Sequence, residues 1–281
     1  MTVTSRAEQL RMDRIEKAHR HARGKGVSRP LYAFVRMLVT PLLRIWLRLH
    51  VSGREHVPAE GAAILAPNHK SLADPFFVGL SLRRHVRFMA KAELFKGVLG
   101  RLLPRLGAFP VRRGESDAEA LETARILIGQ GELVVVFPEG TRVDDPHALG
   151  SPHHGAARLA LETGAPIVPT AIEGTSHLWL GPLPKPRRVQ VSFLEPVPAE
   201  GPDALATVID QEVWPAVQSE YGRLAATPGL IAVVLAALGI GGGLVARRRR
   251  AAAPKLLGVV EPLKVRRRKR RRRLLGRLRR R

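Results

Sequence analysis

Residues 68–75 read NHKSLADP and directly follow an apolar run, AAILAP, at 62–67. A loop histidine with an aspartate five residues on can have one ring nitrogen held by the carboxylate while the other faces a substrate. That is the base-and-orienter half of a nucleophilic triad. His69 and Asp74 are therefore the candidate base and its orienter. The third member is missing: no Gly-x-Ser-x-Gly elbow occurs and Ser71 lies inside the same turn, so the attacking hydroxyl is expected on the substrate. Backbone N–H groups at Lys70 and Ser71 are the candidate oxyanion donors. A plainer reading stays open, in which Asp74 caps a helix whose first position is Pro75 and His69 is solvated.

Three further segments carry polar groups in tight settings. GAFPVRRG at 107–114 offers Arg112 and Arg113 in a loop bounded by Gly and Pro, and a planar guanidinium suits a phosphate monoester. VFPEGTR at 136–142 ends the most apolar run in the chain with Glu139, Gly140, Thr141 and Arg142, a set able to bind a polyol phosphate through side chains and backbone N–H groups. IVPTAI at 167–172 is an apolar run interrupted by Pro169, which predicts an edge or bulged strand. Val168 and Pro169 are placed as lining for an acyl-chain groove. The bland counterparts are a solvated basic turn, a strand-to-loop turn with a surface Glu-Arg pair, and ordinary core.

Elements must hold these loops, and their spacing predicts them. Strands are expected at 62–67, 85–90, 132–138, 166–172 and 188–196, and helices at 74–82, 117–131 and 155–164. Short apolar runs alternating with helical stretches argue for an α/β fold, a single sheet flanked by helices, with the sites at strand ends.

In this order the segments resemble the four blocks of the glycerolipid acyltransferase family, the PlsC-like group that includes 1-acylglycerol-3-phosphate O-acyltransferases. Asn68-His69 through Asp74 is similar to its NHxxxxD block, Phe109 to Gly114 to its arginine block with Arg113 at the arginine position, Phe137 to Arg142 to its FPEGTR block, and Val168-Pro169 to its last block. The resemblance covers about residues 50–200. It implies His69 as base, Asp74 as orienter, and Arg113, Glu139, Gly140 and Thr141 as acceptor-binding groups, with Arg142 beside them. It implies acyl-CoA or acyl carrier protein as co-substrate and a lysophospholipid as acceptor, giving phosphatidic acid when the acceptor is 1-acylglycerol-3-phosphate. Other lysophospholipids or glycolipids serve related members. No cofactor and no metal are expected. Arg112 stands where many members carry an acid, and His154-Gly155 where Lys-Gly is common.

The flanks read differently from the body. The chain has 281 residues, no cysteine and a formal net charge of +23, but residues 247–281 hold 18 Lys or Arg and one acid, leaving the remainder only mildly cationic. No aromatic lies in that tail, so base stacking is not expected and an anionic membrane surface is the better partner than nucleic acid. Residues 1–30 read as a basic arm. Residues 31–50 are apolar but carry Arg36, Arg44 and Arg48, with Pro41 in the middle, and predict two short amphipathic helices lying in the headgroup region. Residues 51–222 form the catalytic domain, 228–246 an uncharged apolar helix, and 247–281 a disordered polybasic tail. The charged N-terminus lacks a signal-peptide pattern, so the expected location is the cytoplasmic face of the cell membrane. A membrane-tethered polycationic lipid-binding module is the competing reading.

Overall fold

The structure is a computed structural model describing residues 6–112, 117–181, 183–200 and 204–226. Continuous apolar runs become strands buried on both faces, as parallel sheets require. In chain order the elements are α1 (Arg6–Gly24), α2 (Arg29–Trp46), β1 (His50–Ser52), β2 (Ala63–Pro67), α3 (Asp74–Ser81), β3 (Val86–Lys91), α4 (Gly97–Arg105), β4 (Ala108–Val111), α5 (Ala118–Gly129), β5 (Leu133–Val135), α6 (Gly155–Thr163), β6 (Ile167–Glu173), β7 (Trp179–Leu180), β8 (Leu183–Pro184), β9 (Gln190–Phe193), α7 (Ala204–Thr207) and α8 (Trp214–Ala226), the last two joined by a π-helical segment, Val208–Val213.

The sheet has seven strands in the order β1-β9-β6-β2-β5-β3-β4, with β7 and β8 as a separate hairpin. Strands β6, β2, β5, β3 and β4 run parallel, and β9 lies antiparallel to β6. Side chains alternate between two cores: Leu65, Val135 and Val168 enter one with Phe77 of α3, while Ile64, Val134 and Ile167 enter the other with Leu127 of α5 and Leu159 of α6. Local signals set the helix ends. Asp117 caps α5 by accepting from the N–H of Ala120 at 3.3 Å, and Gly164 ends α6 in the left-handed region that a residue with a Cβ avoids.

Two expectations need correction. The Pro169 strand is not an edge: β6 lies between β9 and β2 in the middle of the sheet. The proline fits because the facing chain bulges. Ile167 pairs with Val197 and Thr170 with Phe193, so four steps on one side match three on the other, and the N–H of Leu194 reaches the Pro169 carbonyl at 2.9 Å. Next, the stretch 31–50 holds one helix, α2, ending at Trp46, rather than two. Pro41 rides on the exposed side of α2, where its ring costs an intrahelical hydrogen bond without displacing a packed neighbour. The basic arm contains helix α1, which packs on the body. Ile15, Ala18, His19 and Ala22 are buried, and His19 Nδ1 lies 2.8 Å from Thr123 Oγ1 of α5. The apolar stripe of that helix, spaced at three and four residues, needs a partner.

The segments 228–246 and 247–281 lie outside the described residues. Among the described residues no helix is long and apolar enough to cross a membrane.

Candidate active site

Strand β2 ends at Pro67, and the chain turns at the carboxyl end of the sheet into the His69 loop. Asn68 locks that turn to the neighbouring strand: its Nδ2 donates to the Ile172 carbonyl at 3.0 Å and its Oδ1 accepts from the Ile172 N–H at 2.7 Å. His69 is 2% exposed and Asp74 fully buried. His69 Nδ1 lies 3.0 Å from Asp74 Oδ2. A carboxylate only accepts, so Nδ1 carries the hydrogen and the Nε2 lone pair is free. No described residue hydrogen-bonds that Nε2. The imidazole also stacks on Phe137, with ring centroids 4.0 Å apart, so both its tilt and its tautomer are set.

Asp74 does more than orient the ring. Its Oδ2 also accepts from the N–H groups of Lys70 at 2.6 Å and Ser71 at 2.7 Å. The cap of α3 is Ala73, with no side-chain bond, so the carboxylate turns back onto its own loop instead of capping the helix. This corrects the oxyanion assignment: the N–H groups of Lys70 and Ser71 face the aspartate and are not open to a substrate. Oδ1 of Asp74 is buried with no partner among the described residues, so one oxygen carries all three of the hydrogen bonds that fix the loop and the ring.

Glu139 sits against the same loop, 4% exposed. Its Oε2 accepts from the His69 N–H at 2.7 Å and its Oε1 from the Gly150 N–H at 2.8 Å. Burial is the main cause that pushes its carboxyl above the usual carboxylate range, opposed by those two hydrogen bonds and by Lys70. Its place is that of a brace between two loops. Gly140 turns the chain at a positive φ of 64°, where an added Cβ would also come within 3.1 Å of the His153 ring. Thr141 and Arg142 are exposed beside it.

Lys70 is a contributor that the motif does not flag. Its Nζ donates to the carbonyls of Asp145, at 2.7 Å, and Ala148, and lies 5.5 Å from the ring centre of Tyr221. Burial lowers its pKa, offset by Glu139, Asp145 and Asp74. Tyr221 donates to the Pro146 carbonyl at 2.7 Å, and burial pushes its phenol up to about 12. Together they pin the loop that follows Arg142. An ammonium two residues after Asn68 reads as a surface charge in sequence, because only the fold supplies its carbonyl partners.

Of the residues singled out from sequence, the fold brings together His69, Asp74, Glu139 and Gly140, with Thr141 and Arg142 alongside. Arg113 lies outside the described residues. Its neighbour Arg112 donates its backbone N–H to Asp117 Oδ2 at 2.7 Å. Val168 and Pro169 are buried in the sheet. A small apolar crevice of about 30 Å³ lies between α2 and α3 beside Pro75, the residue after Asp74, walled by Tyr32, Val35, Phe76, Phe88 and Leu106.

The acyltransferase family model matches residues 48–173. The chain is 30% identical over 148 residues to the 1-acyl-sn-glycerol-3-phosphate acyltransferase of Bacillus subtilis, a match covering 52% of this chain and 73% of that one. It is 31% identical over 135 residues to a chloroplastic 1-acyl-sn-glycerol-3-phosphate acyltransferase of Arabidopsis thaliana, covering 47% of this chain and 37% of that longer protein. The crystal structure of the 1-acyl-sn-glycerophosphate acyltransferase PlsC from Thermotoga maritima superposes with a TM-score of 0.56 at 25% identity, over 79% of this chain and 84% of that one.

Proposed function

Because this chain belongs to the PlsC-like glycerolipid acyltransferase family, we propose that it moves a fatty acyl group from a thioester, acyl-CoA or acyl carrier protein, to the free hydroxyl of 1-acylglycerol-3-phosphate. The observation that carries this reading is the His69 ring, held through Nδ1 by Asp74 and stacked on Phe137, with Nε2 unengaged among the described residues. Nε2 takes the proton of the acceptor hydroxyl as its oxygen attacks the thioester carbonyl. The imidazolium so formed stands against the Asp74 carboxylate and then protonates the leaving thiolate. General-base assistance of this kind is worth roughly 10² to 10⁴ in rate, and the remainder comes from positioning. No acyl-enzyme is needed, since the nucleophile belongs to the acceptor.

Arg113, with Thr141 and Arg142, binds the acceptor phosphate, while Glu139, Asn68 and Lys70 hold the loops from behind. Phe34, Met37, Leu38, Leu42, Ile45 and Trp46 are exposed along α2, and the indole of Trp46 donates to the Pro184 carbonyl at 2.8 Å, next to the exposed Trp179, Leu180 and Leu183 of the hairpin. An apolar patch of this extent flanked by Arg36, Arg44 and Lys185 suits a bilayer headgroup region, where both lipid substrates reside.

Acyl transfer from labelled acyl-CoA in micelles, with lysophosphatidic acid set against lysophosphatidylcholine as acceptor, tests the assignment. The proposal expects the phosphate monoester to be preferred, and Arg113→Ala to raise its KM more than it lowers kcat. Equal use of both acceptors, unchanged in Arg113→Ala, would remove the acceptor assignment and leave the family assignment standing.

A further inference from the structure

A second polar cavity lies at the opposite end of the sheet from His69. Its volume is about 340 Å³, and it is bounded by the turn between α1 and α2 and by the chain entering β3 and β5. Lys25, Arg29, Arg84 and His85 line it, together with Gly26 and a single acid, Glu132. Behind Glu132, and closed off from the cavity, is Arg87, 1% exposed. Its Nη2 donates to Glu132 Oε1 at 3.0 Å, but Nε and Nη1 are buried with no partner among the described residues. The Nε2 of His21, on the last turn of α1, is likewise buried and unpartnered.

A buried guanidinium with two idle donors is costly, since charged donors out of water require acceptors. Here the one carboxylate within reach faces four basic side chains. Gly26, at a φ of 68°, packs closely on the guanidinium: an added Cβ would sit 3.1 Å from Arg87 Nη2. Arg84 is fixed in place, donating to the carbonyls of Pro58 at 2.8 Å and Gly131 at 2.7 Å. The first turn of α2 contains no acid and Ser28 makes no side-chain cap bond, so the positive end of that helix adds to the same field. The neighbouring histidines respond to it. Burial lowers both His21 and His85, and Lys25, Arg105 and Arg87 lower the first further, as Arg36, Arg29 and Arg87 lower the second.

We propose that this cavity is a binding site for a phosphate dianion, distinct from the acyl-transfer site, held by Lys25, Arg29 and Arg84, with the buried Arg87 behind Glu132 adding to its positive field. The charge excess suits a doubly charged phosphomonoester or a diphosphate, and the space admits a group of that size but not a large cofactor. Such a phosphate comes either from a soluble molecule or from the headgroup of a lipid, since α2 starts at this cavity.

The test is a titration of the full chain in detergent with pyrophosphate, read by NMR on the ring nitrogens of ¹⁵N-histidine-labelled protein. These rings report locally, and moderate salt screens diffuse binding to the basic tail. Saturable shifts of His85 and His21 are expected, weakened at least about tenfold in Lys25→Gln/Arg29→Gln, whose exposed side chains can be exchanged without opening the core. If vesicles containing phosphatidic acid displace pyrophosphate from the site, the source is a lipid headgroup; if they do not, it is a soluble phosphate. Histidine signals that ignore pyrophosphate, or saturate equally in the double variant, overturn the proposal.

Discussion

The His69 loop and the outer face of α2 obey opposite rules. In the loop nearly every polar group is answered from within the chain: Asp74 gathers three donors, Glu139 two, and Asn68 forms both halves of a clamp on Ile172. On α2, six large apolar side chains between Phe34 and Trp46 stand exposed. The catalytic geometry is thus set by internal bonds and is independent of the medium, whereas α2 is complete only against an apolar surface. Substitutions in the loop should change rate, and substitutions on α2 should change location, with little crossover.

The largest break in that separation is expected from Asp74→Asn. It keeps the shape but leaves the imidazole without its negative partner, and kcat should fall by about 10² to 10⁴ while vesicle binding is unaltered. A rate within a few-fold of wild type would show that the carboxylate is only structural. On the other side of the comparison, Leu38→Glu/Leu42→Glu should lower partitioning into anionic vesicles about a hundredfold, since each leucine is worth roughly 1.5 kcal/mol of apolar burial. Micellar kcat for a water-dispersed acceptor should hold. Co-sedimentation that is indifferent to both charges would detach α2 from the membrane.

A third variant sharpens the comparison by touching neither region. His19 is buried in the seam between α1 and α5, and burial first, then Arg23, lowers its pKa from 6.5 to about 4. The unfolded chain takes up that proton near 6.5 and the folded chain resists it, so stability is complete above 6.5 and falls as pH drops toward 4. This one group should cost about 3 kcal/mol over that window. Urea unfolding of His19→Gln should show a correspondingly shallower fall between pH 7 and pH 4, and an identical fall would refute the buried neutral histidine. The smallest effect is expected from Glu139→Gln. Its new amide must face either the His69 or the Gly150 N–H, which costs about 1 to 3 kcal/mol and a melting temperature lower by several degrees.

What the sequence discloses follows from how each part is stabilised. Strands β2, β5 and β6 are legible as apolar runs because both of their faces are buried, and α5 because Asp117 caps a regular apolar stripe. The middle position of β6 is not legible, since Pro169 is accommodated by a bulge in the facing chain. Strands β1 and β4, of three and four residues, are too short to show a period, and α2 continues through Pro41 because the ring points away from packed neighbours. At the site, His69 and Asp74 are readable from their five-residue spacing. The occupation of the Lys70 and Ser71 N–H groups, and the grip of Lys70 on Asp145 and Ala148, depend on loops that meet only after folding.

The central claim is that His69 removes the acceptor proton. Steady-state acyl transfer by His69→Gln, alongside its melting temperature, tests it most directly. The account predicts a kcat at least about 10² below wild type, with both KM values and the melting temperature nearly unchanged. Turnover within a few-fold of wild type in a folded variant would contradict it.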